Sequence, residues 1–236
     1  MTARNPVLLV GFEAEASVAR LSGWKVAIGG GTTNGAAKIA RGLIDAGATG
    51  IVSFGLAGGL DPALRPGTVV IADAVEANGR TWWTDQALSA RLGGTTGHLC
   101  LGLDRPVDCP REKRRLHQHT GAVSVDMESG AIAIAAAEAG IPFAVLRAIC
   151  DPAERGLPPA ALVAISASGR IAAGQLAKSI VTRPRQLGAL LALAFEAARA
   201  RRALRGRAVA LAPHAAPHAS LIDGILGEDL VPDGIL

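Results

Sequence analysis

Carboxylate residues follow short apolar runs at several points of this 236-residue chain. Glu13 and Glu15 come after the run at residues 7–10, and Asp151 follows the run at residues 143–149. A carboxyl group held at the end of a strand can bind a hydroxyl group or transfer a proton, so it suits acid–base catalysis. A glutamate at the start of a helix can equally be its cap, and the glutamate pair by itself does not separate the two roles.

Two glycine-rich segments also follow apolar runs. Gly30, Gly31 and Thr32 precede a predicted helix, where backbone N–H groups can bind an anion such as phosphate. The run matches neither the dinucleotide-binding nor the P-loop pattern, so a plain tight turn is the alternative. The second segment, residues 55–59, would allow a ring or a sugar to approach the backbone closely, or a helix to pack tightly.

Two further polar segments follow predicted strands. Glu128 is placed in the first turn of a predicted helix, where the helix dipole stabilises its negative form. Asp151 precedes Pro152, which stops the strand and holds the acid at a rigid point. Each of these segments by itself is weak evidence for a functional site. Only their combination in one chain indicates such a site.

The elements that must position these residues alternate between strand and helix patterns. Strands are predicted at residues 7–10, 25–28, 51–54, 68–74, 98–103, 123–125 and 143–149, and helices at 34–46, 84–92, 110–119, 127–139, 159–180 and 184–205. Strands that are apolar on both faces require cover on both sides, so we expect a three-layer α/β/α sandwich. Ligands of such sheets bind beyond the carboxyl ends of the strands, where the polar segments gather.

The amino-acid composition argues against several classes of function. The chain has 3 Trp, 4 Phe and no Tyr, which argues against stacking on single-stranded nucleic acid. Three cysteines without a CxxC spacing argue against a disulfide framework and a structural zinc site. We also expect no bound metal and no cofactor. The first apolar run is too short for the core of a signal peptide, and we therefore expect a cytoplasmic protein.

The basic charge is concentrated near the end of the chain. Seven arginines and one acid, Glu196, lie between Arg183 and Arg207. Within this segment apolar residues recur at helical spacing from Leu187 onward, and a basic amphipathic helix can bind an anionic membrane surface. The alternative is an ordinary last helix packed on the domain. We predict a catalytic domain over residues 1–207 that includes this helix, and an extended or disordered tail over residues 208–236.

Four motifs together resemble the nucleoside phosphorylase and nucleosidase family. They are Val-Asp-Met-Glu-Ser-Gly-Ala at residues 125–131, Leu-Arg-Ala-Ile-Cys-Asp at 146–151, the glycine segment within 54–70, and Gly-Phe-Glu-Ala-Glu at 11–15. The resemblance covers roughly residues 7–180 and implies a central mixed sheet. Within the family, the chain looks most like the hopanoid-biosynthesis-associated phosphorylases, which implies adenine removal from adenosylhopane.

The resemblance implies roles for individual residues. Met127 would pack on the ribose, and Glu128 would accept hydrogen bonds from its 2′ and 3′ hydroxyls. Asp151 would protonate N7 of the leaving adenine, which requires burial to raise its pKa. Ala57 and Gly58 would line the nucleoside site through their backbone. A further residue, Cys150, would be a neighbour of the acid rather than a nucleophile.

The sequence differs from the family at several phosphate-binding positions. Either phosphate or water could therefore be the nucleophile. Ser53 stands where purine phosphorylases have a phosphate-binding arginine, and Leu56 stands where they have a serine or threonine. In the nucleosidases a glutamate activates water, and either Glu13 or Glu15 aligns with it. The remaining phosphate candidates are Arg41 and the Gly30-Gly31-Thr32 loop.

Three functions are consistent with the sequence. The first is cleavage of the N-glycosidic bond of a 5′-substituted adenosine such as adenosylhopane, with inorganic phosphate as one candidate co-substrate. The second is a methylthioadenosine/S-adenosylhomocysteine nucleosidase. The third is a non-catalytic nucleoside-binding scaffold at the membrane. We expect a small-molecule or lipid nucleoside as ligand, no nucleic acid, a homo-oligomer with a dimer favoured, and peripheral contact with the inner membrane.

Overall fold

The computed structural model describes residues 6–158 and 187–212. Its strands are β1 (Val7–Val10), β2 (Val26–Ile28), β3 (Ile51–Gly59), β4 (Val69–Ile71), β5 (Ala74–Ala77), β6 (Arg80–Trp83), β7 (Leu99–Gly102), β8 (Ser124–Asp126) and β9 (Phe143–Asp151). Its helices are α1 (Glu13–Ala19), α2 (Thr33–Asp45), α3 (Gln86–Arg91), α4 (Pro110–Thr120), α5 (Ser129–Glu138) and α6 (Leu187–Leu211). The helix predicted at residues 159–180 lies outside the described residues.

The strands form one mixed sheet that branches at β3. Pairing runs in the order β2-β1-β3-β8-β7-β5-β6, while β9 pairs with β3 and β4. β3 runs parallel to β1 and β9, and it meets β8 in antiparallel register at Gly58 and Gly59. The carboxyl end of β3 is therefore flanked by the ends of β8 and β9, which lead to Glu128 and Asp151.

Helices cover both faces of this sheet. Leu8 and Val10 of β1 pack into a core with α1, α3 and α6, whereas Leu9 between them packs against α2 and α5. Successive residues of a strand point to opposite faces, so the unbroken apolar run of β1 requires these two cores. The predicted three-layer α/β/α sandwich is confirmed.

One predicted strand is wrong. The run at residues 68–74 is not continuous, because the ladder changes partners at Ala72 and Asp73. β4 pairs with β9, whereas β5 pairs with β6 and β7. The Thr84 hydroxyl donates to the carbonyls of Ala72 and Asp73 at 2.9 and 2.8 Å, which stabilises the break. β6 was missed by the sequence analysis.

The last described helix packs on the domain through its second half. Ala200, Leu204 and Ala208 are fully buried against β9 and α1. Helix α6 ends at Leu211, so residues 208–211 are not part of an extended tail as predicted. No helix within the described ranges is both long and apolar enough to cross a membrane.

Candidate active site

A cavity of about 200 Å³ opens at the carboxyl ends of β1, β3, β8 and β9. It brings together residues from five separate segments of the sequence. The sequence-predicted residues on its wall are Glu15, Ala57, Gly58, Met127, Glu128, Cys150 and Asp151. The topology explains the convergence, because these strand ends are neighbours in the branched sheet.

Glu15 is held rigidly in this cavity. One carboxylate oxygen, Oε2, accepts the backbone N–H groups of Gly11 and Phe12 at 2.9 and 3.0 Å. The other, Oε1, accepts the N–H of Leu56 at 2.7 Å. Burial raises the pKa of Glu15, while Arg147 and the three backbone donors oppose that rise. A buried, fixed carboxyl group with a raised pKa is suited to accept a proton near neutral pH.

Glu13, the alternative catalytic glutamate, does not line the cavity. Its side chain is 67% exposed and pairs with Arg20 at 2.5 Å on the outside of α1. Residues 13 and 15 lie about 200° apart around a helix, so the two side chains point in different directions. Glu15 is therefore the only one of this pair that the structure places with the other site residues.

Glu128 lies beside Glu15 and pairs with Arg147. The Arg147 Nη2 atom donates to Glu128 Oε2 at 2.9 Å, and both side chains are buried. Burial raises the pKa of Glu128 to about 7, against the lowering effect of Arg147. Gly11 lies between the two glutamates, because a Cβ built there would sit 2.8 Å from Glu128 Oε1 and 3.1 Å from Glu15 Oε2.

Asp126 fixes the segment that carries Glu128. Its Oδ1 accepts the N–H groups of Glu128 and Ser129 at 2.8 and 2.7 Å. Its Oδ2 contacts Arg147 Nε at 3.0 Å. Helix α5 consequently begins at Ser129 and Glu128 is its N-cap, so the predicted placement of Glu128 in the first turn is wrong.

Arg147 is the positive centre of this region. Its guanidinium contacts Asp126 and Glu128, and it donates to the Ser53 hydroxyl at 2.6 Å and to the Leu56 carbonyl at 3.3 Å. Three buried carboxyl groups, those of Glu15, Asp126 and Glu128, therefore share one guanidinium. Burial raises the pKa of Glu15 and of Glu128 although Arg147 lowers both, and for Glu128 the neighbouring Asp126 and Glu15 add to the rise.

Asp151 stands on the other side of the cavity with a different partner. Its Oδ2 accepts a hydrogen bond from the fully buried ammonium of Lys113, and its Oδ1 accepts the Cys150 S–H at 3.1 Å. Burial raises the pKa of Asp151, and Lys113 opposes that rise. The predicted direction of this pKa shift is confirmed.

Ala57 and Gly58 form the wall between the two acidic groups. Both lie in β3, which continues through the glycine segment to Gly59 rather than ending at Phe54. A Cβ at Gly58 would lie 3.3 Å from Asp151 Oδ2, so glycine lets the β3 backbone approach the acid. This arrangement leaves backbone, rather than side chain, facing the cavity.

The predicted phosphate loop does not line this cavity. Thr32 caps α2, since its Oγ1 accepts the Gly35 N–H at 3.1 Å. Gly30 and Gly31 have φ of +83° and +67°, which favours glycine. Both glycines therefore shape a tight turn in front of the helix.

Arg41, the other phosphate candidate, is also elsewhere. It lines a second cavity of about 620 Å³ between α2, α4 and α5. Met127 lines both cavities, so it separates the two spaces. Across the residues that the structure covers, no group of three or more His, Cys, Asp or Glu side chains could hold a metal ion.

Sequence reasoning missed Lys113 and gave Arg147 no role. Lys113 belongs to a strongly basic helix that has the composition of a solvated surface. The available signal was its spacing, because Lys113, Leu116 and Thr120 share one face of that helix. Arg147 lies inside a quoted motif, and an arginine within an apolar buried strand needs a buried acidic partner.

The fold and this site together define an α/β protein with two separated acidic centres at the carboxyl edge of its sheet. The chain belongs to the phosphorylase superfamily, whose family profile matches residues 13–182. It is 30% identical over 149 residues to the 5′-methylthioadenosine/S-adenosylhomocysteine nucleosidase of Mycobacterium bovis, covering 43% of this chain and 58% of that protein. The chain thus spans less than two thirds of the length of this relative.

Solved structures share the fold at low sequence identity. The 5′-methylthioadenosine/S-adenosylhomocysteine nucleosidase of Helicobacter pylori, in complex with butyl-thio-DADMe-Immucillin-A, has a TM-score of 0.61 and 16% identity, covering 88% of this chain and 98% of its own. Futalosine hydrolase of Helicobacter pylori has a TM-score of 0.60 and 16% identity, covering 85% of this chain and 95% of its own.

Proposed function

We propose that this protein hydrolyses the N-glycosidic bond of a 5′-substituted adenosine and releases adenine. The observation that carries the proposal is the single cavity with Glu15 and Glu128 on one side and Asp151 on the other. Its similarity to a protein named as a methylthioadenosine/S-adenosylhomocysteine nucleosidase supports the reaction class.

The two acidic centres match the charges that the reaction creates. When the bond between C1′ and N9 breaks, positive charge develops on the sugar and negative charge on the base. Glu128 accepts hydrogen bonds from the ribose hydroxyls and lies near the positive sugar, while the protonated Asp151 donates to N7 of the base. Groups fixed where charge develops stabilise the transition state without reorganising.

Water, rather than phosphate, is the proposed nucleophile. Glu15 occupies the cavity with its carboxyl group, and Arg147 is already shared among three acidic side chains. Ser53, at the family's phosphate-arginine position, accepts from Arg147 and also hydrogen-bonds Ser129 Oγ at 2.9 Å. A phosphate dianion would meet net negative charge here, whereas a water molecule could give its proton to Glu15.

The proposed substrate carries a large apolar 5′ group, and adenosylhopane is our leading candidate. The first cavity is small, and apolar residues such as Leu56, Val107 and Leu157 lie on its wall. Beyond Met127, the larger second cavity offers Leu103 among its apolar side chains. These features support room for hydrocarbon outside the nucleoside site.

Adenine release tests the proposal. Adenosylhopane, methylthioadenosine, S-adenosylhomocysteine and adenosine should each be incubated with and without inorganic phosphate, and free adenine and the sugar product measured. We expect release without phosphate and fastest turnover of adenosylhopane. A phosphate requirement would overturn hydrolysis, faster turnover of methylthioadenosine would favour the general nucleosidase, and no release from any substrate would favour a binding scaffold.

We also propose that the first half of α6 contacts an anionic membrane. Leu191 and Phe195 are 54% and 73% exposed on the face opposite the buried Ala200 and Leu204. Arginines follow on the same helix, and this combination is typical of interfacial helices. Co-sedimentation with anionic vesicles should fall for Phe195→Ser, with Val209→Ser at the far end of the helix as the control. Equal binding of both variants and the unaltered protein would contradict the proposal.

A further inference from the structure

Lys113 is a fully buried lysine whose ammonium is completely satisfied. Its Nζ atom donates to Asp151 Oδ2, to the Pro152 carbonyl at 3.0 Å and to the Arg155 carbonyl at 3.1 Å. An ammonium has three N–H donors, and all three have acceptors here. A buried charge without partners would be very unfavourable, so this geometry fixes the side chain in one position.

Lys113 lies behind the acid rather than in the cavity. Asp151 lines the cavity wall, whereas Lys113 is not among its lining residues. Helix α4 carries Lys113 and joins it to the end of β9 and to the segment that follows. Among the cavity-lining residues, Asp151 is the one whose side chain Lys113 contacts directly.

We infer that Lys113 is a positioning residue that holds the Asp151 carboxyl at the cavity and stabilises the carboxylate that remains once the leaving base has taken its proton. This inference rests on the proposed function, because it assigns Lys113 a part in that reaction. It adds a residue from α4, a segment that none of the motifs in the sequence includes.

The movement of protons and charge in the proposed reaction explains why a cation lies beside Asp151. The C1′–N9 bond breaks and its electron pair goes to the base, while a water oxygen forms the new bond to C1′ and one proton of that water goes to Glu15. The proton of Asp151 goes to N7, and Asp151 becomes a carboxylate facing the Lys113 ammonium. The buried carboxylate would be costly without that partner, so Lys113 makes Asp151 a stronger acid when it acts.

Among the described residues, two titratable groups besides Lys113 interact with Asp151, one in β9 and one in α6. Cys150, its neighbour in β9, donates its S–H to Asp151 Oδ1. Glu196 of α6 interacts electrostatically with Asp151 and Lys113, and it pairs with Arg155 at 2.7 Å. Lys113 is thus the cation in direct contact with the acid, and Arg155 is engaged by Glu196.

Four variants test the inference. Lys113→Met removes the charge at similar length, and Lys113→Arg keeps the charge. Arg114→Met is the matched control, since it removes a cation from an exposed neighbouring position of the same helix. Combining Lys113→Met with Asp151→Asn leaves a neutral pair that avoids an unpaired buried carboxylate. Thermal unfolding shows which variants are folded.

We expect changes in kcat and in the pH dependence of kcat/KM. Lys113→Met should lower kcat by about tenfold or more, and the alkaline limb of kcat/KM should move to higher pH, because Asp151 keeps its proton longer without the cation. Lys113→Arg should keep the limb near its original position, and Arg114→Met should change neither quantity. Adding Lys113→Met to Asp151→Asn should lower kcat no further than Asp151→Asn does.

Two outcomes would overturn the inference. An unshifted alkaline limb in folded Lys113→Met, or additive losses of kcat in the double variant, would mean that Lys113 does not act through Asp151. Carbon-13 NMR titration of the Asp151 carboxyl, assigned with Asp151→Asn, tests the same contact without substrate. If the unaltered protein releases no adenine, the proposed function fails. An unchanged carboxyl titration in Lys113→Met would separately exclude the electrostatic hold on the acid.

Discussion

Glu128 makes the stability of this protein depend on pH, and Glu128→Gln should remove much of that dependence. Burial raises the pKa of Glu128 from 4.5 to about 7, and the opposing attraction of Arg147 does not cancel the rise. Between those values the folded protein keeps a proton on Glu128 that the unfolded chain has released. The stabilising contribution is therefore complete below 4.5 and is lost as the pH rises through about 7.

The size of the effect follows from the pKa difference. One pKa unit corresponds to about 1.4 kcal/mol, so Glu128 should contribute a fall of about 2–3 kcal/mol in the free energy of unfolding between about pH 5 and pH 8. Urea unfolding at these two pH values, for the unaltered protein and Glu128→Gln, measures this fall. Glu138→Gln is the matched control, since Glu138 is an exposed residue at the end of α5.

Comparing Glu128→Gln with the unaltered protein separates the contribution of Glu128 to the pH dependence of stability from that of the other buried acids. Burial also raises the pKa of Glu15 and Asp151, so part of the pH dependence should remain in Glu128→Gln. The control should keep the full fall. Equal pH dependence in Glu128→Gln and the unaltered protein would refute the reasoning that Glu128 is protonated in the folded state near neutral pH.

Three further predictions concern the reaction. Asp151→Asn should slow adenine release by a factor of about 10²–10⁴, because an amide cannot supply the proton, and near-normal turnover would refute the assigned acid. Glu15→Gln should lower kcat by a similar factor with little change in nucleoside affinity, and an unchanged kcat would exclude Glu15 as the base. Gly11→Ala should lower kcat/KM about tenfold or more, since its Cβ would displace Glu128 and Glu15. Gly42→Ala is the control, because nothing lies within 4 Å of a Cβ there, and equal activity of both variants would contradict the predicted crowding.

The fold was predictable because its strands are apolar on both faces. The apolar runs of β1, β3 and β9 require a sheet with helices on each side, and the structure confirms this arrangement. The hydrophobic pattern did not predict where two elements begin, because individual hydrogen bonds set those boundaries. The switch of strand partners at Asp73 and the capping of α2 by Thr32 depend on contacts with residues that no local period reveals.

The site was partly predictable for a related reason. Strand ends carry Glu15, Glu128 and Asp151 in recognisable motifs, and the sheet brings strand ends together. The choice between Glu13 and Glu15 was open because both lie at the start of one helix. Only the three-dimensional position of that helix against Leu56 shows that Glu15, and not Glu13, lines the cavity. Lys113 was hidden in a basic helix, since its burial depends on tertiary packing.

In the proposed reaction, the two acidic centres need different cations because they perform opposite tasks. Glu128 must stay close to a developing positive charge, and sharing Arg147 with other carboxyl groups leaves that side of the cavity rich in acceptors. Asp151 must instead lose a proton, so it needs an ammonium that stabilises the carboxylate it becomes. If Arg147 and Lys113 were replaced by neutral side chains, the pKa of Glu128 and the pKa of Asp151 would both rise further, and each side would lose the cation that suits its task.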